Sequence, residues 1–167
     1  KSSLINRLLG RAVRADRRDG ARISSRPGCT RSVNFYAWSG PGYLVDFPGY
    51  GFARRSRSER RHMENLVTAY FTLRPRPLAL LQVVDARHAL QALDAEMLRW
   101  GRGRASLHLF AANKCDKLAR SLRQRRLREL AQALGKAGEV ENWPVSARTG
   151  EGVKALAGRL RDGVQPT

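Results

Sequence analysis

Short polar motifs recur along the chain in an order that could build one binding site. Residues 1–3 are Lys-Ser-Ser, residues 46–49 are Asp-Phe-Pro-Gly, residues 113–116 are Asn-Lys-Cys-Asp, and residues 146–147 are Ser-Ala. Asp-x-x-Gly can reach a magnesium ion and a terminal phosphate, Asn-Lys-x-Asp can hold a guanine base, and Lys-Ser is typical of the end of a Gly-x-x-x-x-Gly-Lys-Ser phosphate loop. Each motif alone is weak, but their order and spacing together predict a guanine-nucleotide site.

The carboxylate of Asp116 has the chemistry that distinguishes guanine from adenine. It can accept hydrogen bonds from the two donors on the Watson–Crick edge of guanine, where adenine presents an acceptor and would be repelled. We expect Asn113 to brace the loop and meet the other edge of the base, and Lys114 to lie along the base plane. In the motif that begins at Ser146, the backbone N–H of Ala147 could donate to the guanine oxygen.

The first residues would contact the phosphates. Lys1 would place its ammonium on the β- and γ-phosphates, and Ser2 would offer its hydroxyl to Mg²⁺. Ser3 is counted with the nucleotide-binding residues, although its place suits a helix terminus better than a ligand. The chain does not begin with Met, and Lys1 stands where the pattern follows its second glycine. We therefore expect the loop glycines and the first strand to be missing from this sequence, so the chain as given could bind nucleotide poorly and be inactive.

Two further segments would meet the γ-phosphate. Thr30 follows Pro27 and Gly28 in a basic segment, and its hydroxyl could complete the coordination of Mg²⁺ only when a γ-phosphate is present, which would make this segment a switch. Asp46 is expected to hold Mg²⁺ through water, and the N–H of Gly49 to face the γ-phosphate. The predicted metal ligands are Ser2, Thr30 and Asp46. The residues predicted at the reacting phosphate are Lys1, Thr30 and Gly49.

Length and charge limit the class of protein. The chain has 167 residues, which suits one domain over 1–167, and a formal charge of +18 from 32 Lys and Arg against 14 Asp and Glu. This excess favours a polyanionic partner, with RNA as the leading candidate, although codon usage in a GC-rich genome would also produce it. Cys29 and Cys115 form no disulfide or metal pattern, which is typical of the cytoplasm. No apolar run approaches the about 20 residues that cross a bilayer, so no membrane partner is expected.

Apolar periodicity predicts an α/β fold. Helical spacing marks segments 1–9, 58–73, 93–100, 127–134 and 153–160, and apolar or alternating runs mark strands 33–38, 43–46, 78–84, 107–112 and 143–145. The first two strands would form a hairpin at one edge of the sheet. The alternation of the remaining elements predicts a doubly wound, mostly parallel sheet with ligand loops at the carboxyl ends of its strands.

Residues 46–53, Asp-Phe-Pro-Gly-Tyr-Gly-Phe-Ala, resemble the EngB family of bacterial GTPases, in the TrmE-Era-EngA-EngB-Septin-like superfamily. Pro-Gly-x-Thr at 27–30 before Asn-Phe at 34–35, and Val-Asp-Ala-Arg-His at 84–88, support a resemblance that spans nearly the whole chain. It implies a Ras-like P-loop GTPase domain, magnesium-dependent binding and slow hydrolysis of GTP, and a role in large ribosomal subunit assembly and in normal cell division and septation. Many members carry Thr-Lys-x-Asp where this chain has Asn-Lys-Cys-Asp at 113–116, a difference that keeps guanine specificity.

Features after the second motif suggest how such a GTPase would be regulated. Tyr50 stands where many GTPases carry a water-positioning glutamine, so we expect slow turnover that needs a partner, a monovalent ion or a backbone group to align the water. Arginines that follow could meet RNA phosphates in a nucleotide-dependent way; they are Arg54, Arg55, Arg57, Arg60 and Arg61. Arg87 and His88 are suggestive only, since a surface pair at a strand end is the simpler account.

Other classes of protein stay open at this point. A nucleic-acid-binding module that keeps the GTPase fold but has lost nucleotide binding would also explain the charge. A GTPase of another branch, acting in tRNA modification or metal transport, would normally carry additional domains. The leading prediction is a monomeric, bacterial, cytoplasmic GTP switch that binds ribosomal RNA or a precursor of the 50S subunit, with GTP or GDP and Mg²⁺ as its ligands.

Overall fold

The computed structural model describes residues 1–10, 33–38, 42–49, 57–73, 79–137 and 140–164. In chain order the elements are α1 (Ser2–Leu8), β1 (Asn34–Ala37), β2 (Tyr43–Asp46), α2 (Arg57–Leu73), β3 (Ala79–Asp85), α3 (Ala92–Gly101), β4 (Leu107–Asn113), a short 3-10 helix (Cys115–Lys117), α4 (Arg120–Ala137), β5 (Glu141–Pro144) and α5 (Val153–Asp162). They fall into two units: Lys1–Val13 with Pro77–Thr167, and Arg14–Arg76.

The larger unit is built on a parallel sheet. Its described strands have the order β3-β4-β5, and Val83 lies opposite Ala111, which in turn lies opposite Trp143. β4 is buried from Leu109 to Asn113, as expected for a central strand that is covered on both faces. Because parallel strands end at the same edge of a sheet, the segments that follow β3, β4 and β5 meet there.

Helices cover both faces of this sheet because their apolar stripes pack on it. Phe110 of β4 packs with Leu98 of α3 and Leu134 of α4, and all three side chains are buried. Neighbouring strand positions point to opposite faces, so Leu107 shares the other face with Leu109. A Cβ added to Gly163, just after α5, would clash with the Leu107 side chain, which places the end of α5 on that face. The predicted parallel sheet and its alternating helices are confirmed.

The smaller unit contains an antiparallel hairpin and a long helix. β1 and β2 pair with Asn34 opposite Asp46. Phe47, directly after β2, has its ring centroid 5.1 Å from that of Tyr70 and 6.1 Å from that of Phe71, both on α2. This aromatic contact anchors the Asp-Phe-Pro-Gly segment to α2. The predicted hairpin and helix are therefore both present in this unit. The expected position of the hairpin differs, because among the described strands it forms a two-stranded sheet of its own and does not pair with the parallel sheet.

β5 begins at Glu141, two residues before the predicted start at position 143. Cys115 has a free, buried thiol whose burial raises its pKa, and Cys29 lies outside the described residues. None of the described helices is long and apolar enough to cross a membrane.

Candidate nucleotide-binding site

The segments after β4 and β5 lie side by side because the two strands are parallel neighbours. The Val145 N–H donates to the Ala112 carbonyl at 2.9 Å, and the Cys115 N–H donates to the Val145 carbonyl at 3.2 Å. These bonds continue the strand pairing past the end of the sheet. The fold thus brings residues 113–116 next to residues 146–148, which joins the two motifs that were predicted to hold the base.

Asn113 braces both segments with one side-chain oxygen. Its Oδ1 accepts from the N–H groups of Lys114 at 2.8 Å and Ala147 at 3.1 Å, and its carbonyl accepts from the Ala86 N–H at 2.7 Å. This geometry agrees with the bracing role that was predicted. The Ala147 N–H was expected to donate to a guanine oxygen, whereas here it donates to Asn113. A bound guanine would therefore have to share this donor or take it over.

Asp116 is held from two sides. Its Oδ1 accepts from the Ser146 hydroxyl at 2.6 Å, and its Oδ2 accepts from Arg148 Nε at 2.8 Å. The side chain of Asp116 is 8% exposed, whereas that of Arg148 is 69% exposed. The hydrogen bond from Ser146 is the largest cause that lowers the pKa of Asp116, and the bond from Arg148 adds to it. The carboxylate is therefore ionised at neutral pH and can only accept hydrogen bonds, with lone pairs left for a ligand.

Lys114 is fixed through both its backbone and its ammonium group. Its φ is 67°, in the left-handed region, and its Nζ donates to Asp85 Oδ2 at 2.8 Å. Asp85 is the last residue of β3 and also accepts from the Arg87 side chain. Sequence reasoning missed Asp85 as a partner of the Asn-Lys-x-Asp motif, although it opens the Asp-x-Arg-His segment that supported the family resemblance.

The predicted phosphate-binding residues begin α1. The Lys1 carbonyl accepts from the N–H groups of Leu4 at 2.9 Å and Ile5 at 3.1 Å, which places Lys1 at the N-cap with an exposed side chain. Ser2 and Ser3 occupy the first turn and are partly buried. Their hydroxyls stand one and two residues after the lysine, as the phosphate-loop pattern requires for Ser2.

Arg7 connects α1 to the segment after β5. Its Nε donates to the Ala147 carbonyl at 3.1 Å, and its Nη2 donates to the Arg148 carbonyl at 2.7 Å. Helix α1 is thereby tied to the segment that was predicted to meet the base. No motif in the sequence indicates this contact, because the first pair of residues is 140 positions apart.

The remaining predicted residues belong to the smaller unit. Asp46 ends β2 and is buried, and Gly49 follows in the same segment. The Asp46 carboxylate is a hard oxygen donor of the kind that Mg²⁺ prefers, and the Ser2 hydroxyl of the larger unit is another. Several predicted residues lie outside the described part of the chain: Pro27, Gly28, Thr30, Tyr50, Arg54 and Arg55.

Known proteins match this chain over most of its length. Residues 1–114 match the family described as 50S ribosome-binding GTPase. A probable GTP-binding protein EngB of Alkaliphilus metalliredigens is 36% identical over 162 residues, which cover 97% of this chain and 75% of that protein. A probable GTP-binding protein EngB of Pelotomaculum thermopropionicum is 38% identical over 152 residues, which cover 91% of this chain and 74% of that protein.

Solved structures share the fold. The crystal structure of a probable GTP-binding protein EngB matches with a TM-score of 0.68 and 21% identity, over 98% of this chain and 92% of that one. Era in complex with MgGDPNP and nucleotides 1506–1542 of 16S ribosomal RNA matches with a TM-score of 0.74 and 20% identity, over 99% of this chain and 53% of that one. The predicted Ras-like P-loop GTPase fold is therefore confirmed. With the family match over residues 1–114 and identities of 36–38% to these relatives, the chain belongs to the EngB family of GTP-binding proteins and is a GTPase.

Proposed function

We propose that this GTPase is a GTP-binding molecular switch that hydrolyses GTP slowly with Mg²⁺ and acts in the assembly of the large ribosomal subunit. The observation that supports it most directly is the geometry around Asp116. An ionised, nearly buried carboxylate is held by Ser146 and Arg148 beside the ends of β4 and β5. A fixed acceptor pair selects a ligand by its donors, which guanine has and adenine lacks.

The other base-side residues would complete this recognition. Asn113 would keep the two segments at a fixed distance, because its Oδ1 already bonds to both of them. The stem of Lys114 would cover the base plane, and the Ala147 N–H would donate to the guanine oxygen. Since none of these contacts involves a phosphate, they should increase the affinity for GDP and the affinity for GTP by the same factor.

The phosphate-side residues would distinguish GTP from GDP. Lys1 would counter the charge of the β- and γ-phosphates, and the N–H of Gly49 would donate to the γ-phosphate. Ser2 and Asp46 would hold Mg²⁺, which, when bound, neutralises charge on the phosphates during transfer. Thr30 would join them only while the γ-phosphate is present. Loss of that phosphate would release the segments of Thr30 and Gly49 together, which is the requirement for a switch.

Slow turnover follows from the residue after Gly49. Tyr50 stands where many GTPases carry a glutamine, and a phenol cannot orient the attacking water as an amide does. The proposed enzyme therefore needs a partner, a monovalent ion or a backbone group to align the water. A fast single-turnover rate for the protein in isolation would contradict this part of the proposal.

The proposed partner is ribosomal RNA or a precursor of the 50S subunit. The matched family is described as 50S ribosome-binding GTPase, and Era, which shares the fold, was solved with a segment of 16S ribosomal RNA. The net charge of +18 suits a phosphate backbone, and Arg120, Arg128 and Lys136 are exposed on α4. We place the protein in the bacterial cytoplasm as a monomer with one G domain over 1–167, and expect normal division and septation to depend on it.

Binding to purified 50S precursor particles tests this proposal. Affinity is measured with a non-hydrolysable GTP analogue and with GDP across a salt series. We expect tighter binding with the GTP analogue and a fall in affinity as salt rises, because phosphate contacts release counterions. Identical affinities and salt slopes in both nucleotide states would contradict the switch. Particle binding by a protein that ignores GTP would instead support an inert RNA-binding module.

A further inference from the structure

The carboxyl end of β3 carries a carboxylate that none of the proposed nucleotide contacts uses. Asp85 Oδ2 accepts from Lys114 Nζ at 2.8 Å and from Arg87 Nη2 at 2.7 Å, and its Oδ1 accepts from Arg87 Nε at 2.9 Å and from the Arg87 N–H at 3.1 Å. Both oxygens are thus bonded to cations, one of which belongs to the base-binding motif.

Asp85 is well placed to act as a fixed anion. Its side chain is 20% exposed, whereas those of Lys114 and Arg87 are 49% and 44% exposed. Burial alone would raise the pKa of Asp85, but the hydrogen bonds from Arg87 and Lys114 outweigh burial and leave the pKa far below its usual value. The Arg87 carbonyl also accepts from Arg126 of α4 at 3.0 Å, which holds this turn against the helix.

Lys114 has side-chain freedom that would have to be lost when a base binds. Its backbone is fixed by the left-handed φ of 67° and by the hydrogen bond to Asn113 Oδ1. The four-carbon side chain, however, has several rotatable bonds, and ordering it at the moment of binding costs conformational entropy. An anion that already holds the ammonium removes part of that cost before the base arrives.

We propose that Asp85 is a positioning residue for guanine-nucleotide binding, which holds the Lys114 ammonium so that the lysine stem is ready to cover the base. The inference rests on the proposed function, because it assigns Asp85 to the same base site. Arg87 serves as the second brace of the carboxylate, which gives the Asp-x-Arg-His segment a role in the site. Asp85 acts through Lys114 and does not itself contact the nucleotide.

A purely architectural role would not require this carboxylate. The ends of β3 and β4 are joined by the bond from the Ala86 N–H to the Asn113 carbonyl, and Ala86 is fully buried with Ala112 and Leu130. Both features involve backbone and apolar groups. Replacing the carboxylate by an amide of the same shape should therefore keep the fold, and should lower the thermal stability only by the ion pairs with Arg87 and Lys114, whose side chains are about half exposed.

The test compares the GDP and GTP affinities of four forms of the purified full-length protein: the wild type, Asp85→Asn, Lys114→Ala and the double variant. A half-exposed charged pair predicts about a 3- to 10-fold loss of affinity for Asp85→Asn. The loss should be the same for GDP and GTP, because the effect acts at the base. The double variant should bind no more weakly than Lys114→Ala alone, because Asp85 acts through that lysine.

Matched variants separate positioning from general charge effects. Glu141→Gln makes the same chemical change at the other end of the sheet, where Glu141 pairs with Arg159, and should bind like the wild type. Asp85→Glu keeps the charge and should recover part of the lost affinity. The role of Asp85 would be overturned, with the proposed function left standing, by either of two results. One is a wild-type affinity in Asp85→Asn, and the other is a loss in the double variant equal to the product of the two single-variant losses. Failure of the wild type to bind either guanine nucleotide would overturn the proposed function with it.

Discussion

Replacement of Asp116 by Asn should invert the base preference of the site. The amide keeps one acceptor for the guanine ring N–H, but its NH₂ group would face the exocyclic amino group of guanine, donor against donor. Each charge-assisted hydrogen bond is worth about 1.5–3 kcal/mol. Because the Asp116 side chain is only 8% exposed, water screens these bonds little. Removal of both acceptors in Asp116→Ala should cost about 3–6 kcal/mol, or about 10²–10⁴ in affinity.

Xanthine nucleotides distinguish lost recognition from lost structure. Xanthine keeps the ring N–H and replaces the amino group by an oxygen, so it matches the amide of Asp116→Asn. The amide oxygen can still accept from the Ser146 hydroxyl, and Arg148 is 69% exposed, so its loss of a partner costs at most about 1 kcal/mol of stability.

Competition between GDP and XDP for the two proteins provides the assay. Titration calorimetry should show that wild type prefers GDP and that Asp116→Asn prefers XDP, with thermal unfolding as the control for folding. Retention of GDP affinity within about 3-fold by a folded Asp116→Asn variant would refute the assignment of this carboxylate to the base.

Three further predictions concern the site and the core. Ser146→Ala removes the hydroxyl that donates to Asp116 Oδ1, and should weaken GDP and GTP binding equally, by about 5- to 10-fold in calorimetry. The same hydrogen bond lowers the pKa of Asp116, so the carboxylate stays ionised, and able to accept from guanine, until the pH falls through that lowered pKa. The affinity for GDP should therefore stay constant from about pH 8 to about pH 5. A loss of affinity already near neutral pH would contradict this role of Asp116. Phe110→Ala empties a fully buried position and should lower the free energy of unfolding in urea by about 3–5 kcal/mol, whereas Leu122→Ala, at a side chain that is 57% exposed, should change it by less than about 0.5 kcal/mol.

The sequence predicted the elements because burial leaves a direct pattern in the chain. The nearly continuous apolar run at 107–112 became the central strand β4, since a strand covered on both faces cannot alternate polar and apolar residues. The stripe that contains Leu130 and Leu134 became the buried face of α4. The Asn-Lys-x-Asp motif was predicted after a buried strand, and its Asn is the last residue of β4.

Contacts between distant residues could not be predicted in the same way. Lys114 and Asp85 are 29 positions apart, and Arg148 and Asp116 are 32 positions apart. Motif matching identifies residue types at fixed spacing, whereas these partners are chosen by which strand ends lie side by side. The start of β5 was also displaced, because polar Glu141 gives no strand pattern and is placed by its pairing with Leu109.

Competition between guanine and adenine nucleotides for the full-length wild-type protein, with Mg²⁺ present, tests the guanine assignment most directly. The fixed carboxylate of Asp116 predicts that GDP and GTP displace a fluorescent guanine nucleotide at concentrations at least about 100-fold lower than ADP and ATP do. Displacement by ATP as readily as by GTP would contradict the account.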